Sequence, residues 1–245
     1  IHLGRIFGIM VLKGAELPID DPRRKYKYRV VFQGNNVVDQ DWTAAVFQDL
    51  GSSPASMEAA KLTDFYSCIG TNDLEQADAV QAYVQAKLEG HETWVHLPDE
   101  CLDLIQKDKA YVDLRPLLFD KEGNKLVSRP CVRLERALYG HPDAGSCWER
   151  HCDTRMKAKG FAPIENWPSM YFHKRLKVLL MIYVDDFKMA GPRENLKEAW
   201  KLITDEIDLE APEPPGLFLG CIHFQFSHTL PNGKIVRGII YDNSS

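Results

Sequence analysis

Three features that mark other protein classes are missing from this sequence: a long apolar run, a regular cysteine pattern and a surplus of basic residues. No apolar stretch approaches the roughly 18 to 20 residues that a membrane span needs, and the N-terminus lacks the basic-then-apolar pattern of a signal peptide. The six cysteines include no C-x-x-C pair, so neither a disulfide framework nor a zinc site is indicated. We therefore expect an intracellular protein with reduced thiols and no membrane partner.

The composition is that of a chain able to bury a sizeable core. It has 245 residues, 44% of them hydrophobic, which allows one large domain or two subdomains. Helical and strand patterns are mixed without a repeat or a low-complexity tract, so we predict the α+β class. The net charge of −5 by itself argues against a nucleic-acid binder, whose surface is usually basic.

One segment departs from that acidic average. Residues 23–29 contain five basic side chains among seven, and a strand is predicted over residues 26–33. Period two places Lys25, Lys27 and Arg29 on one face, where cations would recur about every 6.6 to 6.8 Å. That spacing suits a polyanion such as nucleic acid. The alternative, which stays open, is an edge strand that its lysines protect from aggregation.

Four helices are predicted from capping residues and apolar spacing. The first begins at Ser53-Pro54 and ends at Gly70, and the second follows Asp78 and continues to Gly90. The third spans residues 146–160, and the fourth lies before a proline-rich joint at residues 211–216. The side chains expected to face the core are Leu62, Phe65 and Ile69 in the first helix, Val80, Tyr83, Val84 and Leu88 in the second, and Leu196, Trp200, Ile203 and Ile207 in the fourth. Strands are predicted at residues 26–33, 93–97, 130–134 and 217–226, and on both sides of residues 185–186.

Two adjacent carboxylates, Asp185 and Asp186, interrupt an otherwise apolar segment and are predicted at the tip of a β-hairpin. Solvent, a basic partner or a divalent cation must offset their repulsion and desolvation. A solvated turn is one interpretation, because Asp is a suitable turn residue. Tyr183, Val184 and Phe187 are poor turn residues, however, and no Gly or Asn stands where a two-residue turn favours one. We therefore interpret the carboxylates, and not the ease of forming a turn, as the reason for this segment.

A third carboxylate would complete a metal site, and Asp78 is the candidate. It lies where a polar extended segment is predicted to pass into a helix. Its alternative role is simple N-capping. The two roles are compatible, because a carboxylate has about four lone-pair positions.

These residues carry a resemblance. The tetrapeptide Tyr183-Val184-Asp185-Asp186 after an apolar strand resembles the Y-x-D-D box of reverse transcriptases, and other segments follow in the order found in copia-type LTR-retrotransposons. The segments similar to that family's blocks are residues 27–34 (K-x-R-[LV]-V-x-x-G), 78–83 (D-V-x-x-A-[FY]), 94–98 ([VIW]-[YW]-M-x-x-P), 137–148 (S-L-Y-G-L-K-Q-x-P-R-x-W) and 217–220 ([YF]-L-G). The resemblance covers most of the chain.

The resemblance implies a right-hand polymerase: a palm of mixed and antiparallel strands with helices behind, fingers, and an incomplete thumb. The implied boundaries are residues 1–70 and 115–145 for the fingers, 71–114 and 146–225 for the palm, and 226–245 for the start of the thumb or connection. The implied activity is RNA-directed DNA synthesis with two Mg²⁺ ions, or Mn²⁺, held by the catalytic residues Asp78, Asp185 and Asp186. The alternative is a catalytically silent remnant that binds nucleic acid or a partner protein.

Further roles also come from the resemblance. Tyr83 would lie under the incoming sugar, although a core aromatic on a helix is the alternative. Lys27, Arg29 and Tyr183 would contact the nucleotide, and Lys25 with Lys27 and Arg29 would contact nucleic acid. The sequence departs from the family pattern at Asp143, where a Gln is expected near the nucleotide. A carboxylate there would repel a triphosphate unless a metal or Arg133 intervened.

The partners implied by the resemblance are a primer-template, dNTP and the remainder of a Pol polyprotein with RNase H and integrase. The implied location is a cytoplasmic particle or the nucleus. We expect the chain to be a piece of that longer polyprotein.

Overall fold

The computed structural model describes residues 1–47 and 52–243 and divides the chain into two compact units. The first unit comprises Ile1–Asp49 and Lys87–Ala144, and the second comprises Leu50–Ala86 and Gly145–Ser245. In the part of the chain that is described, no helix is both long and apolar enough to cross a membrane.

Helices and strands are interspersed along the described residues. In chain order, the elements are β1 (His2–Lys13), β2 (Lys25–Phe32), β3 (Val38–Asp39), α1 (Met57–Ser67), β4 (Asn72–Asp78), α2 (Ala82–Gln85), β5 (Thr93–His96), α3 (Asp99–Lys107), a 3₁₀ turn (Lys109–Tyr111), α4 (Arg115–Leu118), β6 (Cys131–Arg133), α5 (Ala144–Ala158), β7 (Phe161–Pro163), β8 (Met170–His173), β9 (Val178–Tyr183), β10 (Asp186–Pro192), α6 (Arg193–Thr204), β11 (Leu217–Phe218), β12 (Cys221–Thr229) and β13 (Ile235–Asp242). The α+β class is confirmed.

The first unit is built on a sheet of order β2-β1-β5-β6, with β3 pairing beside the start of β1. β1 and β5 run parallel, and the other neighbours are antiparallel. Phe32, Val37 and Val95 form its buried apolar cluster. β2 lies at the edge of this sheet, so its outer backbone groups have no strand partner within the sheet.

The second unit holds an antiparallel sheet of order β4-β10-β9-β8-β7 and a separate sheet of order β11-β12-β13. β9 and β10 are buried along nearly their whole length, because α1 and α6 pack against them. This double burial explains why the sequence of β9 is a continuous apolar run instead of an alternating one.

Several predicted elements are confirmed to within two residues. The helix predicted at 146–160 is α5, and the strands predicted at 26–33, 93–97 and 130–134 are β2, β5 and β6. The predicted apolar face of α6 is also confirmed, since Leu196, Trp200 and Ile203 are buried, as is Ile207 just beyond the helix.

The first predicted helix was wrong in both its start and its buried face. α1 begins at Met57, and the N-cap is Ser56, whose hydroxyl accepts a hydrogen bond of 3.2 Å from the Ala59 N–H. The residues predicted to be buried, Leu62, Phe65 and Ile69, are exposed. The buried residues are small or polar: Ala59, Ala60, Thr63, Asp64 and Ser67. Small side chains let the helix approach the sheet closely, and this contact outweighs the larger apolar face.

The helix predicted from Asp78 to Gly90 was also wrong. Asp78 is the last residue of β4, which pairs along its full length with β10, and only the single turn α2 follows. The strand predicted at 217–226 is two strands, because Leu219 and Gly220 take left-handed φ values of 49° and 79° and form a turn between β11 and β12.

The division into units differs from the boundaries implied by the resemblance. Residues 57–67 belong to the second unit because α1 packs against β9 and β10. Residues 93–96 belong to the first unit because β5 pairs with β1.

Candidate active site

Strand register brings together two carboxylates that lie more than a hundred residues apart in sequence. β10 pairs with β4 so that Asp186 faces Asp78, Phe187 faces Ala77 and Lys188 faces Gln76. Directly opposed residues of an antiparallel pair have Cβ atoms about 4.5 to 5.5 Å apart and lie on the same face. Asp78 therefore joins the hairpin as a strand residue, not as a helix cap.

The hairpin turn is one residue earlier than predicted. β9 ends at Tyr183 and β10 begins at Asp186, so the turn residues are Val184 and Asp185. Asp185 is exposed at the tip, whereas Asp186 is a partly buried strand residue. Val184 has a φ of 56°, a left-handed conformation that is unfavourable for a β-branched side chain by about 1 to 3 kcal/mol.

Two hydrogen bonds hold this turn at successive carbonyl groups. The Trp148 indole N–H donates to the Val184 carbonyl at 2.6 Å, and the Ala79 backbone N–H donates to the Asp185 carbonyl at 2.7 Å. One donor comes from α5 and the other from the residue after β4. The turn is thus connected to two elements outside its own hairpin.

The carboxyl groups at this end of the sheet repel one another. Burial raises the pKa of Asp186 to about 6, and the charges of Asp185 and Asp78 and a hydrogen bond to Asp78 act in the same direction. The pKa of Asp78 is also raised, by burial first, then by Glu210 and Asp185. The hydrogen bond between the two side chains raises the pKa of Asp186 and acts in the opposite direction on Asp78.

Glu210 is an acidic neighbour that sequence patterns did not identify. Its backbone N–H donates to the Asp78 carbonyl at 2.8 Å, so the chain after α6 runs beside the end of β4. The only sequence signal is the density of acidic residues between 205 and 213. That density is also typical of a solvated loop.

The donor set fits a hard divalent cation. All of these side chains offer carboxylate oxygens, which suit Mg²⁺ and Mn²⁺. Among residues 1–47 and 52–243, no three His, Cys, Asp or Glu side chains are arranged as a preformed metal cage. Mg²⁺ sites commonly use one or two protein carboxylates and complete their coordination with water and substrate phosphates.

Tyr83 lies close to the acidic turn. It is a partly buried residue of α2 and lines a small apolar pocket together with Trp148 and Val184. Burial raises the pKa of its phenol, and the charge of Asp185 adds to that effect. Tyr183, at the end of β9, packs against an apolar cluster that contains Met181 and Phe218. The nucleotide-binding roles of both tyrosines stay predictions.

The basic strand belongs to the first unit. Its predicted alternation agrees with the β1–β2 register, in which Lys25, Lys27 and Arg29 face Lys13, Val11 and Ile9. Tyr26 and Tyr28 are on the other face and are largely exposed. Because β2 is an edge strand that also displays cations, both interpretations of this segment stay open.

Asp143 also lies in the first unit, in the turn that precedes α5. Its backbone N–H donates to His141 Nδ1 at 3.1 Å. Arg133, the residue considered as its counterion, is paired instead with Glu92, at 2.9 Å, and with Glu135. The role of Asp143 toward a nucleotide stays a prediction.

A buried ion-pair network lies two residues further along β10, and no sequence pattern predicted it. Lys188 is fully buried, and its Nζ donates to Asp64 Oδ1 at 2.8 Å and lies 3.0 Å from His223 Nδ1. The Tyr241 hydroxyl donates to the other Asp64 oxygen at 2.9 Å. We call these four residues the Lys188 network. It connects α1 and β10 with β12 and β13.

Comparison with known proteins adds no relative: no protein-family model matches the chain, and no curated protein matches it significantly. The resemblance to copia-type reverse transcriptases therefore stays a prediction from the ordered motifs of the sequence.

Proposed function

We propose that this chain is an RNA-directed DNA polymerase of the copia type, which transfers a nucleotide from a dNTP to a primer 3′-hydroxyl. The observation that carries the proposal is the pairing of Asp186 with Asp78 beside a turn that presents Asp185. In this proposal the sheet β4-β10-β9-β8-β7, with α1 and α6, is the palm, and the first unit supplies the fingers.

Each residue of the site has a distinct task. Asp78 and Asp185 would hold Mg²⁺, and Asp186, which pairs with Asp78 across the strands, would support their arrangement. When bound, two such ions stabilise the charge that develops on the attacking and leaving oxygens of phosphoryl transfer. Tyr83 would place its ring where a ribose 2′-hydroxyl would be crowded, which favours deoxynucleotides. Lys25, Lys27 and Arg29 would bind phosphates of the primer-template.

The main competitor is a silent protein of the same fold that binds nucleic acid. Such a protein gains nothing from acidic side chains crowded together, because their mutual repulsion lowers the stability of the fold. The retained set Asp78, Asp185 and Asp186 therefore favours the polymerase.

Primer extension on a homopolymer RNA template tests the proposal. The wild-type chain should extend the primer with dNTP and Mg²⁺ or Mn²⁺, and Asp185→Asn/Asp186→Asn should lower the rate by about 10³-fold or more, since the ions carry most of the charge stabilisation. Primer-template affinity, measured by fluorescence anisotropy, should change little.

A matched control is Asp205→Asn, which removes an exposed carboxylate paired with Lys201 outside the site. It should leave extension unchanged. Primer-template binding without any extension by the wild-type chain would favour the silent binder, and equal losses of affinity and rate in the double variant would argue against a metal-binding role.

A further inference from the structure

The turn that carries Asp185 has an unfavourable backbone conformation. Val184 takes a φ of 56° with a β-branched side chain, at a two-residue turn position where glycine is the usual residue. Such a conformation persists only when the surrounding structure enforces it. The β9–β10 register, with Tyr183 opposite Asp186, leaves only two residues for the turn and so requires a positive φ there, and contacts from outside the hairpin can hold that conformation further.

Trp148 supplies such a contact from outside the hairpin. Its indole N–H donates to the carbonyl of Val184 itself, at 2.6 Å. The Ala79 N–H holds the next carbonyl, that of Asp185, at 2.7 Å. Two consecutive peptide groups of the turn are therefore fixed from two different elements, and their orientation decides where the Asp185 side chain points.

Trp148 is well suited to hold a fixed position. It lies in the 15-residue helix α5, is 3% exposed, and stacks on His151 with ring centroids 5.8 Å apart. A buried indole has few accessible rotamers, so its N–H is aimed at the turn before any substrate binds.

We infer that Trp148 is a positioning residue: by holding the left-handed Val184 peptide, it sets the placement of the Asp185 carboxylate relative to Asp78 and Asp186. This inference rests on the proposed function for its catalytic consequence. Its structural part, the dependence of the turn on the Trp148 N–H, is independent of any activity.

The test is a double-mutant cycle between Trp148→Phe and Val184→Gly in the full chain. Phenylalanine keeps a buried ring but lacks the N–H. Glycine adopts the left-handed conformation without strain, so in its presence the indole hydrogen bond should no longer be needed. The matched control is Trp200→Phe on α6, which is 4% exposed and whose indole nitrogen donates to no carbonyl of the turn.

Hydrogen exchange followed by mass spectrometry gives the structural readout. Trp148→Phe should speed the exchange of amides at Ala79 and at residues 185–187 by about tenfold or more, because the hydrogen bonds that protect them open together. Trp148→Phe in the Val184→Gly background should speed it by less than about threefold. Trp200→Phe should leave these amides unchanged.

Primer extension gives the catalytic readout. Trp148→Phe should lower kcat by about tenfold while KM for dNTP and primer-template affinity stay within about twofold, and Val184→Gly should restore most of that loss. Unchanged exchange at the turn, or equal effects of Trp148→Phe in both backgrounds, would overturn the inference. Exchange that responds as expected in a chain with no extension activity would leave the positioning role intact and refute the proposed function instead.

Discussion

Asp186 and Lys188 are two ionisable residues on the same face of strand β10, but their surroundings differ in burial and in charge. Lys188 is fully buried, and its Nζ contacts the Asp64 carboxylate and the His223 imidazole. The centre of the Phe218 ring lies 4.1 Å from the same atom. Asp186 lies at the open end of β10, where its neighbours are further carboxylates and its pKa rises to about 6.

The difference is that between a charge paired inside the protein and one left among like charges. A buried charge persists only with a partner, so Lys188 is paired inside the protein. Around Asp186, burial and the charges of Asp185 and Asp78 all raise the pKa of the carboxyl group. This is expected where a bound ligand completes the charge balance. Four experiments test this contrast.

The largest effect is expected at Lys188. Lys188→Met keeps the side-chain length but leaves the Asp64 carboxylate buried without its main partner, which should lower the free energy of unfolding by about 3 to 5 kcal/mol. Denaturant unfolding at pH 7 measures this. The loss should shrink on acidification, because a protonated His223, 3.5 Å from Asp64, can then supply positive charge.

Lys201→Met is the control, because Lys201 forms an exposed pair with Asp205 on the surface of α6. Its effect on unfolding should be small. A similarly small effect of Lys188→Met would mean that the buried pair contributes no more than a surface pair, and the comparison would fail.

His141 shows a second way to bury an ionisable group, which is to keep it neutral. Burial first, and then the charge of His2, lower the pKa of His141 to about 4. Below the unfolded pKa of about 6.5 the unfolded chain binds the extra proton, so stability falls as the pH drops toward 4. Between pH 7 and pH 5 this residue should cost about 2 kcal/mol of unfolding free energy.

Unfolding of His141→Gln at pH 7, 6 and 5 checks this prediction. The variant should lose that part of the pH dependence, whereas His228→Gln, at an exposed position of β12, should keep it. Equal pH dependence in the wild-type chain and in His141→Gln would show that His141 does not titrate in this way.

The smallest effect is expected at Asp186. Asp186→Asn removes a carboxylate that its neighbours disfavour, so it should raise the unfolding free energy at pH 7 by about 1 kcal/mol, a value reduced because solvent screens a half-buried group. Asp205→Asn should act in the opposite direction, since Lys201 lowers the pKa of Asp205 and stabilises its charged form. Destabilisation by Asp186→Asn would show that its charge is already compensated within the protein.

Thermal unfolding with millimolar Mg²⁺ extends the same comparison. Under the proposed function the ion binds Asp78 and Asp185, so it should raise the melting temperature of the wild-type chain and should do so less in Asp185→Asn. An equal rise in both proteins would place Mg²⁺ binding elsewhere.

The candidate site was predicted in part. Asp185 and Asp186 stand out because acidic residues rarely follow a strand-forming apolar run, and a hairpin is the simplest geometry for that pattern. Asp78 was selected for the wrong local reason, since it ends a strand and does not cap a helix. Trp148 and Glu210 were not identified as neighbours of the site. Trp148 contacts the turn from a helix far away in sequence, through its indole N–H, and Glu210 reaches Asp78 from the loop after α6.

Local chemistry, which a sequence displays directly, determined the α+β class, the positions of α5 and α6, and the alternation of cations and tyrosines along β2. Long-range packing, in contrast, sets which face of α1 is buried, pairs Asp78 with Asp186 and places Lys188 beside Asp64. These features depend on strand register and on contacts between residues far apart in sequence. Contacts of that kind override local propensity, because a close-packed interior and a paired charge each outweigh the preference of a single segment.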